Sequence, residues 1–575
     1  MFVLGLNIGH NSTACLLKDG KIITCVSEER FSRIKNHAGI PFAGIDYILK
    51  SNGLEIKDLA TIVLDDHYPI INDPKFVKQF LESYIRKPLH KRILSKIGYN
   101  YPNFYYNYNL MKNPRSSNKK RRNEVRNYLA RKLNYPIEKI ILIDHHYAHA
   151  LAPCFNLNKN QKTLVFTLDG EGSGTCATVN IFDGKNLKRI AMTDKSASLG
   201  YLYAITTIIL GMKPLEHEFK VMGLAPYAKT EKVKEVYEEL RKIIWVDSLK
   251  FKSKFNMPFV DNYLLDKMKF VRFDTLAGAV QMLTEELTLE WIRNAIKATG
   301  IHNIALAGGV FMNVKANQRI ANLDEVQSIF VMPSCGDESN AIGSCFFGYR
   351  ELNKDKNINF RAIEDLYLGP ECDNKDLEDY LKKNKLKNYT VKKVKKINKE
   401  VAKLLAEGQI VARCSGRSEW GARSLGNRAI LANPSDPETI RILNETIKDR
   451  DFWMPFTPSI IEDDAHKYIK NPKKIKAPYM TLTFDSTKLA QEHLSAAMHP
   501  YDFTLRPQIV YKNWNKGYYD LIKEFKKLTK IGGILNTSFN LHGEPNVLTI
   551  NDAIHTLDNS ALRYLAIGDY LIKKN

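Results

Sequence analysis

The chain has 575 residues and a formal net charge of +22, with 44% hydrophobic, 26% charged and 10% aromatic residues. At roughly 100 to 200 residues per domain this excludes a single small module and predicts two large domains or three smaller ones, and the mixture excludes a disordered or fibrous chain. No stretch approaches the ~20 apolar residues that span a bilayer. The apolar opening Met1 to Ile8 lacks a basic leader and a small-residue cleavage site, so a soluble, unexported, cytoplasmic protein with no membrane partner is expected. The eight cysteines form no Cys-x-x-Cys pair and sit among apolar neighbours, which predicts buried thiols in place of a disulfide framework.

In chain order, a first strand (Phe2 to Asn7) runs into Gly9-His10-Asn11-Ser12-Thr13. A second (Ala14 to Leu17), an Asp19-Gly20 turn and a third (Ile22 to Val26) complete a hairpin with a polar loop at its head. After strand Thr61 to Leu64 the charge concentrates. From Tyr84 to Lys132, fourteen Lys or Arg face one acid, Glu124, so thirteen of the net charges fall in 49 residues that also carry eight aromatic rings. Cations interleaved with rings suit phosphate tracking and base stacking, which makes Lys119, Lys120, Arg121 and Arg122 candidate nucleic-acid contacts. A solvated, lysine-rich helical excursion accounts for the same composition.

Strand Lys139 to Ile143 ends at Asp144-His145-His146-Tyr147-Ala148-His149-Ala150, and at Leu164 to Leu168 the opening grammar returns. Asp169-Gly170-Glu171-Gly172-Ser173-Gly174, strand Cys176 to Ile181 and an Asp183-Gly184-Lys185 turn follow. This predicts an internal duplication with two glycine-bearing loops meeting across a cleft, similar to the α/β fold shared by actin, Hsp70 and sugar kinases. Leu199 to Ala298 reads as mainly helical. Strand Asn303 to Leu306 then opens into Ala307-Gly308-Gly309-Val310-Phe311-Met312-Asn313, and Ile329 to Met332 ends at Pro333-Ser334-Cys335-Gly336-Asp337. From Leu352 to Lys399 the composition turns polar and lysine-rich, which places a boundary near residue 360: a duplicated domain over 1–360, its basic insert at about 84–132, and a second α/β domain over 361–575.

His145 and His149, four apart at a strand-to-helix junction, project from one helix face at a separation suited to one metal ion. Asp169 and Asp337, each beside a glycine at a strand end, complete an N/O set for Fe, Zn or Mn. His10, in the first hairpin loop, is a candidate general base. In the second domain Arg417, Arg423 and Arg428 surround a glycine-rich turn as bidentate phosphate donors. Lys448, Arg450 and Arg506 add charge there, and Asn536, Ser538 and Asn540 add neutral hydrogen-bond partners.

Several motifs occur in the order seen in the O-carbamoyltransferase family of the NodU and CmcH type. They are Gly9-His10-Asn11-Ser12-Thr13-Ala14, Glu28-Glu29-Arg30-Phe31-Ser32-Arg33, His145-His146-x-x-His149-Ala150, Leu168-Asp169-Gly170-x-Gly172, Lys220-Val221-Met222-Gly223-Leu224-Ala225 and Ala307-Gly308-Gly309-Val310-x-x-Asn313. The second domain adds Gly416 through Leu431, Met454-Pro455-Phe456-x-Pro458-Ser459 and Leu535-Asn536-Thr537-Ser538-Phe539-Asn540-x-x-Gly543-Glu544-Pro545. The resemblance spans nearly the whole chain. It implies a YrdC-like C-terminal domain that converts carbamoyl phosphate and ATP, with Mg, to carbamoyl adenylate, and binds them through the cations above together with Glu419, Ser424 and His499. It implies an N-terminal domain similar to the tRNA threonylcarbamoyladenosine transferases, which moves the carbamoyl group from AMP to a hydroxyl beside one divalent transition metal, Fe before Zn or Mn. There His10 and Lys220 are catalytic, and Asn11, Ser12, Gly170, Gly172, Gly223, Gly308, Gly309 and Asn313 hold the adenylate. Two departures stand out: Asn11 where the family usually has Asp, and Ala422 where it usually has Pro. The acceptor is read from the basic insert as a nucleic-acid hydroxyl, for example on a hydroxymethyl pyrimidine in DNA. A small-molecule or sugar hydroxyl on a natural product or oligosaccharide is the alternative, and a kinase on the same fold or a non-catalytic nucleic-acid binder are the rivals. A monomer or homodimer is expected.

Overall fold

The computed structural model describes residues 1–65, 115–354, 359–384, 386, 388–448 and 450–575, without the side chains of 115–121 and 446. The chain divides into two compact units, one of Met1–Glu28 with Asn36–Ile363 and one of Glu29–Lys35 with Glu364–Asn575.

The first unit contains two five-stranded sheets. Strands β1 (Phe2–Asn7), β2 (Thr13–Lys18), β3 (Lys21–Ser27), β4 (Leu59–Asp65) and β5 (Ile140–Ile143) form the first, in the order β3-β2-β1-β4-β5. β1, β2 and β3 pair antiparallel, while β4 and β5 join parallel to β1. The hairpin turn falls at Asp19 and Gly20, whose φ of 47° and 80° are what a tight two-residue turn between right-twisted strands requires. β6 (Thr163–Gly172), β7 (Thr175–Phe182) and β8 (Leu187–Asp194) repeat the antiparallel trio. A small hairpin, β9 (Ile244–Asp247) and β10 (Lys250–Ser253), intervenes before β11 (Asn303–Ala307) and β12 (Ser328–Val331). The second sheet has the order β12-β11-β6-β7-β8, the same topology with the same strand senses. The duplication expected from the repeated loop grammar is therefore present.

The stretch from 199 to 298 is mainly helical, as expected, and the hairpin β9–β10 interrupts it. Ile244-Trp245-Val246-Asp247 alternates buried and exposed with period two, and Ser248, at φ 55°, turns the chain. Long apolar helices close over the sheets. The longest, Phe273–Thr299, buries Trp291 edge-on to Phe166 of β6, ring centroids 5.0 Å apart.

The second unit is built on an eight-stranded mixed sheet, in spatial order Tyr389–Lys393, Tyr570–Lys574, Tyr564–Ile567, Val411–Cys414, Arg428–Ala432, Gly533–Ser538, Thr457–Ile461 and Gln508–Val510. Its inner strands are buried throughout, and helices such as Ile550–Asp558 pack Ala553, Ile554 and Leu557 into the same core. All eight cysteines are buried with free thiols. No helix among the described residues is long and apolar enough to cross a membrane.

Candidate functional site

Because β1, β4 and β5 run parallel, their carboxyl ends share one edge, where open α/β sheets gather ligand groups. Just past β5, Asp144 caps the helix His145–Leu151 by accepting from Tyr147 N at 2.9 Å. The cap fixes where the helix starts and so puts His145 and His149 on one buried face, ring centroids 4.6 Å apart. β6 supplies Asp169, and the turn after β12 supplies Asp337. Asp169 Oδ2 lies 3.5 Å from His145 Nε2 and 3.4 Å from His149 Nε2, and Asp337 Oδ1 lies 3.6 and 3.4 Å from the same atoms. The four donor atoms all fall within 4.8 Å of one another. Ligands about 2.1 Å from a shared tetrahedral ion are separated by about 3.4 Å, close to the four His–Asp separations, so the residues fit a transition metal. His149 Nε2 and Asp337 Oδ1 are also buried with no hydrogen bond, a costly state that a cation resolves. The two-nitrogen, two-oxygen donor set suits Fe, Zn or Mn alike.

The electrostatics agree. Burial disfavours a charged imidazole at His145, yet Asp337, Asp169 and Asp65 outweigh it and hold its pKa well above the ordinary value. Burial likewise opposes ionisation of Asp169, but His145 and His149 hold its carboxyl well below the usual range. The pocket is arranged for anionic ligands gathered around positive charge.

Behind the cluster stand residues that sequence reasoning missed. Asp65 Oδ2 lies 3.0 Å from His145 Nδ1 and accepts from Asn340 Nδ2 at 3.4 Å, while Ser339 Oγ lies 3.2 Å from His149 Nδ1. These partners fix each ring so that Nε2 faces the two aspartates. A signal was available: Asp65 closes β4 as the aspartate after Leu168 closes the core pairing of β6. Gly172 is explained by close approach, since a Cβ there would stand 1.9 Å from His145 Cδ2.

His10 enters the same place. Asn7 accepts from Gly9 N at 3.2 Å and donates Nδ2 to the carbonyls of His10 (2.9 Å) and Asn11 (3.1 Å), which folds the loop over itself with Asn11 at φ 56°. His10 Nε2 lies 3.1 Å from Asp337 Oδ2. Asn11 Nδ2 donates to buried Glu338 Oε2 at 3.5 Å, and burial pushes the Glu338 carboxyl above its ordinary pKa. Gly170 N donates to Asp169 Oδ1 at 2.8 Å, and Gly309 lies so near that a Cβ there would meet the same oxygen at 2.8 Å. Gly308 follows β11 directly. Lys220 and Gly223 lie on the helix Glu218–Leu224 and are not part of the four-residue cluster.

Two of the residues expected to contact the adenylate have partners within the fold. Ser12 spends its hydroxyl on Gly39 O at 2.6 Å, and its backbone bridges His37 O and Glu28 N, so it ties down the loop. Asn313 caps the helix Val314–Ala321 through Ala316 N at 3.0 Å and exchanges amide hydrogen bonds with Gln281 at 3.1 and 2.8 Å, which occupies its oxygen and one of its two amide hydrogens.

In the second unit the candidates fall into two sets. Lys448 Nζ donates to Ser538 O, to Asn540 O at 3.1 Å and to Asn540 Oδ1 at 2.8 Å, and Arg450 donates to Thr537 Oγ1 at 3.2 Å. Desolvation, then Arg423, pushes Arg450 down to about 10; desolvation, then Arg423 and Arg450, pushes Arg506 well below its ordinary value. Lys448 is likewise lowered by burial, Arg450 and Lys35. Among the described residues no carboxylate pairs with Lys448, Arg450 or Arg506. Mutually repelling cations kept in one desolvated place are what an anion site requires.

The other set builds the scaffold, which corrects the phosphate-donor expectation for Arg428. Its guanidinium is buried and donates to five backbone carbonyls, those of Leu548, Ser415, Gly416, Asn427 and Pro370. Arg417 donates to Gly369 O at 3.1 Å and Leu368 O at 2.6 Å. Glu419 Oε1 gathers the backbone N–H groups of Leu425, Asn427 and Arg428, and Ser424 Oγ donates to Arg428 O at 2.8 Å. Asn536 Nδ2 donates to Ser424 O at 3.1 Å and Ser459 Oγ at 2.9 Å. His499 Nδ1 accepts from Tyr501 N and Asp502 N, each at 3.3 Å, and orders its own turn. The glycine-rich turn is thus held by its charged residues, and Arg423 faces the cation cluster.

Of the nucleic-acid candidates, the side chains of Lys119, Lys120 and Arg121 lie outside the described residues. Arg122 is half-buried on the helix Arg115–Leu133, which packs Val125 and Leu129 inward.

Residues 3–346 match the family model for the carbamoyltransferase N-terminus, and 402–574 match that for the carbamoyltransferase C-terminus. The nodulation protein NolNO of Sinorhizobium fredii is 28% identical over 98% of this chain and 79% of its own length. An uncharacterised protein of Methanocaldococcus jannaschii is 30% identical over 100% of this chain and 99% of its own. Among solved structures, full-length HypF in its phosphate- and nucleotide-bound form aligns at TM-score 0.34 and 15% identity, over 61% of this chain and 55% of that one.

Proposed function

Because the chain belongs to the carbamoyltransferase family, we propose that its second unit, as a YrdC-like domain, makes carbamoyl adenylate and its first unit transfers the carbamoyl group to a hydroxyl. Water cleaves carbamoyl phosphate to carbamate and phosphate, carbamate oxygen attacks the α-phosphorus of ATP, and pyrophosphate leaves. Lys448, Arg450, Arg506 and Arg423 hold the phosphate charge, with Mg accompanying ATP. The observation that carries this reading is the group Lys448, Arg450 and Arg506, desolvated together and paired with no carboxylate among the described residues, a charge that a bound polyanion would offset.

In the first unit, His145, His149, Asp169 and Asp337 would hold the metal, which would polarise the carbamoyl or phosphate oxygen. With Nε2–H directed at Asp337, His10 keeps its lone pair on Nδ1 and takes the proton of the acceptor hydroxyl there. The hydroxyl oxygen bonds to the carbamoyl carbon, the carbon–oxygen bond to phosphate breaks, and AMP departs. Gly170, with open space where a Cβ would stand, leaves room beside Asp169 for the adenylate, while Gly172, Gly308 and Gly309 let the backbone pack closely around it.

The test is incubation with ATP and carbamoyl phosphate without acceptor. Pyrophosphate release that depends on carbamoyl phosphate supports the reading; ADP formation indicates a kinase, and silence a binding protein. The acceptor we assign to nucleic acid, on the thirteen surplus charges and eight rings of Tyr84 to Lys132. An enzyme acting on a duplex base must flip it or prefer single strands. A mass-spectrometric screen for a carbamoyl gain on hydroxymethyl-containing DNA, tRNA and small hydroxyl compounds decides the acceptor. DNA binding that is absent, or indifferent to salt, returns the assignment to a small-molecule or sugar hydroxyl.

A further inference from the structure

The motif Glu28-Glu29-Arg30-Phe31-Ser32-Arg33 takes no part in either site as described so far. Its residues from Glu29 to Lys35 nevertheless belong to the second unit, although the chain on both sides, through Glu28 and from Asn36, belongs to the first. A single helical turn, Glu29–Ser32, ends at Arg33, whose N–H bonds to Glu29 O at 3.0 Å and whose φ is 60°, a left-handed conformation that non-glycine residues seldom adopt. The surroundings hold it there. Arg33 forks onto two carbonyls, Nη1 to Asn546 O at 2.8 Å and Nη2 to Pro545 O at 2.9 Å, and faces Asp552 at 3.5 Å and Glu544 at 3.7 Å. Arg30 Nη2 donates to Gly421 O at 2.9 Å.

Each gripped loop leads to the cation cluster. Gly421 lies two residues before Arg423. The Pro545–Asn546 loop is tied to Asn540, which donates to Glu544 O at 2.7 Å and accepts from Lys448, while Asn546 Nδ2 donates to Arg428 O at 3.0 Å. We propose that Arg30 and Arg33 are positioning residues for the phosphate-binding site of the second unit, one holding the Gly421–Arg423 turn and the other the Asn540–Asn546 loop. Lys35 stands near enough to raise the cost of charge on Lys448, which places the end of the same segment beside the cluster. The proposal rests on the adenylate-forming reading for the identity of the anion, but not for the geometry.

The two grips differ in a way that can be measured. Arg30 makes one hydrogen bond to Gly421, which lysine can reproduce, whereas Arg33 makes a planar two-carbonyl fork, which lysine cannot. Full-length Arg30→Ala, Arg30→Lys, Arg33→Ala and Arg33→Lys are compared with the parent by hydrogen exchange of 416–428 and 540–546, by thermal shift with inorganic pyrophosphate, and by KM and kcat of carbamoyl-phosphate-dependent pyrophosphate release. We expect Arg33→Ala, Arg33→Lys and Arg30→Ala to exchange faster in the gripped loop, to lose most of the pyrophosphate-induced shift and to raise the KM for ATP at least tenfold. Arg30→Lys stays within threefold of the parent, and bound metal is unchanged in all four. If Arg33→Ala does not fold, the Arg30 pair still decides. Parent-like exchange and parent-like pyrophosphate shifts in Arg30→Ala and Arg33→Lys would overturn the proposal. A parent that releases no pyrophosphate would sink the functional reading alone, since exchange and melting still report on the grips.

Discussion

Asp65 offers the sharpest test of the metal cluster, because it touches no proposed ligand atom and reaches the cluster through His145. Its carboxylate, fully buried, lies 3.0 Å from His145 Nδ1, which sets the tautomer and aims Nε2 at Asp169 and Asp337. Alanine leaves Nδ1 without its acceptor and frees the ring to rotate. Loss of such a partner lowers metal affinity roughly 10- to 100-fold, about 1.4 to 2.7 kcal/mol. Asparagine keeps an oxygen for the Nδ1–H but removes the charge, so Asp65→Asn should fall between Asp65→Ala and the parent. Competition against a chelator of known affinity, followed by elemental analysis, ranks the three. Carbamoyl-phosphate-dependent pyrophosphate release serves as the control and should not change. Parent-like metal affinity in both variants would refute the reasoning, either because His145 is held by other contacts or because the ion binds elsewhere.

Gly172→Ala should cut bound metal more than tenfold and lower Tm, because the new methyl overlaps the His145 ring; metal content and a melting curve check it. Asn11→Asp should depress carbamoyl transfer by setting a second carboxylate against buried Glu338, and adding Glu338→Gln should restore part of the loss. Arg428→Ala should destabilise the second unit by on the order of 3 to 5 kcal/mol, as five carbonyls lose a buried donor, in urea unfolding. Arg506→Met should do the reverse: equal or greater stability without anion, and no stabilisation by pyrophosphate. If Arg428→Ala and Arg506→Met behave alike, the division into scaffold and anion-facing arginines is wrong.

The duplicated sheets were legible because turn chemistry is local: Asp19-Gly20 and Asp183-Gly184 announce hairpins wherever they stand. The His145/His149 spacing was legible because a helix converts a gap of four into a shared face. Asp65 was not, since its meaning depends on the pairing of β4 beside β5, a contact between residues some eighty positions apart. Arg428 was misread for a related reason. An arginine beside glycines carries the same letters whether its guanidinium faces a phosphate or a shell of carbonyls, and burial alone tells them apart. Ser12 and Asn313, polar residues in loops, were likewise taken by caps and ties that the sequence does not distinguish from ligand contacts. The short hairpin Ile244–Ser253 escaped because eight alternating residues are easily absorbed into a neighbouring helical pattern.

The grip of Arg33 on Asn546 spans 513 positions. During synthesis at ~5 to 20 residues per second, the segment therefore waits about 25 to 100 s for the loop it must hold. The strands of the second unit can pair among themselves as they emerge, and the turn at Gly421 meets Arg30, made 391 positions earlier, but the loop at Pro545 meets Arg33 only once the ribosome has nearly finished. The Arg33 clamp therefore cannot close until the first unit has been made. A product that lacks its early residues would own the sheet and the cations yet lack the brace proposed for them, so the second unit expressed alone should bind pyrophosphate more weakly than the whole chain.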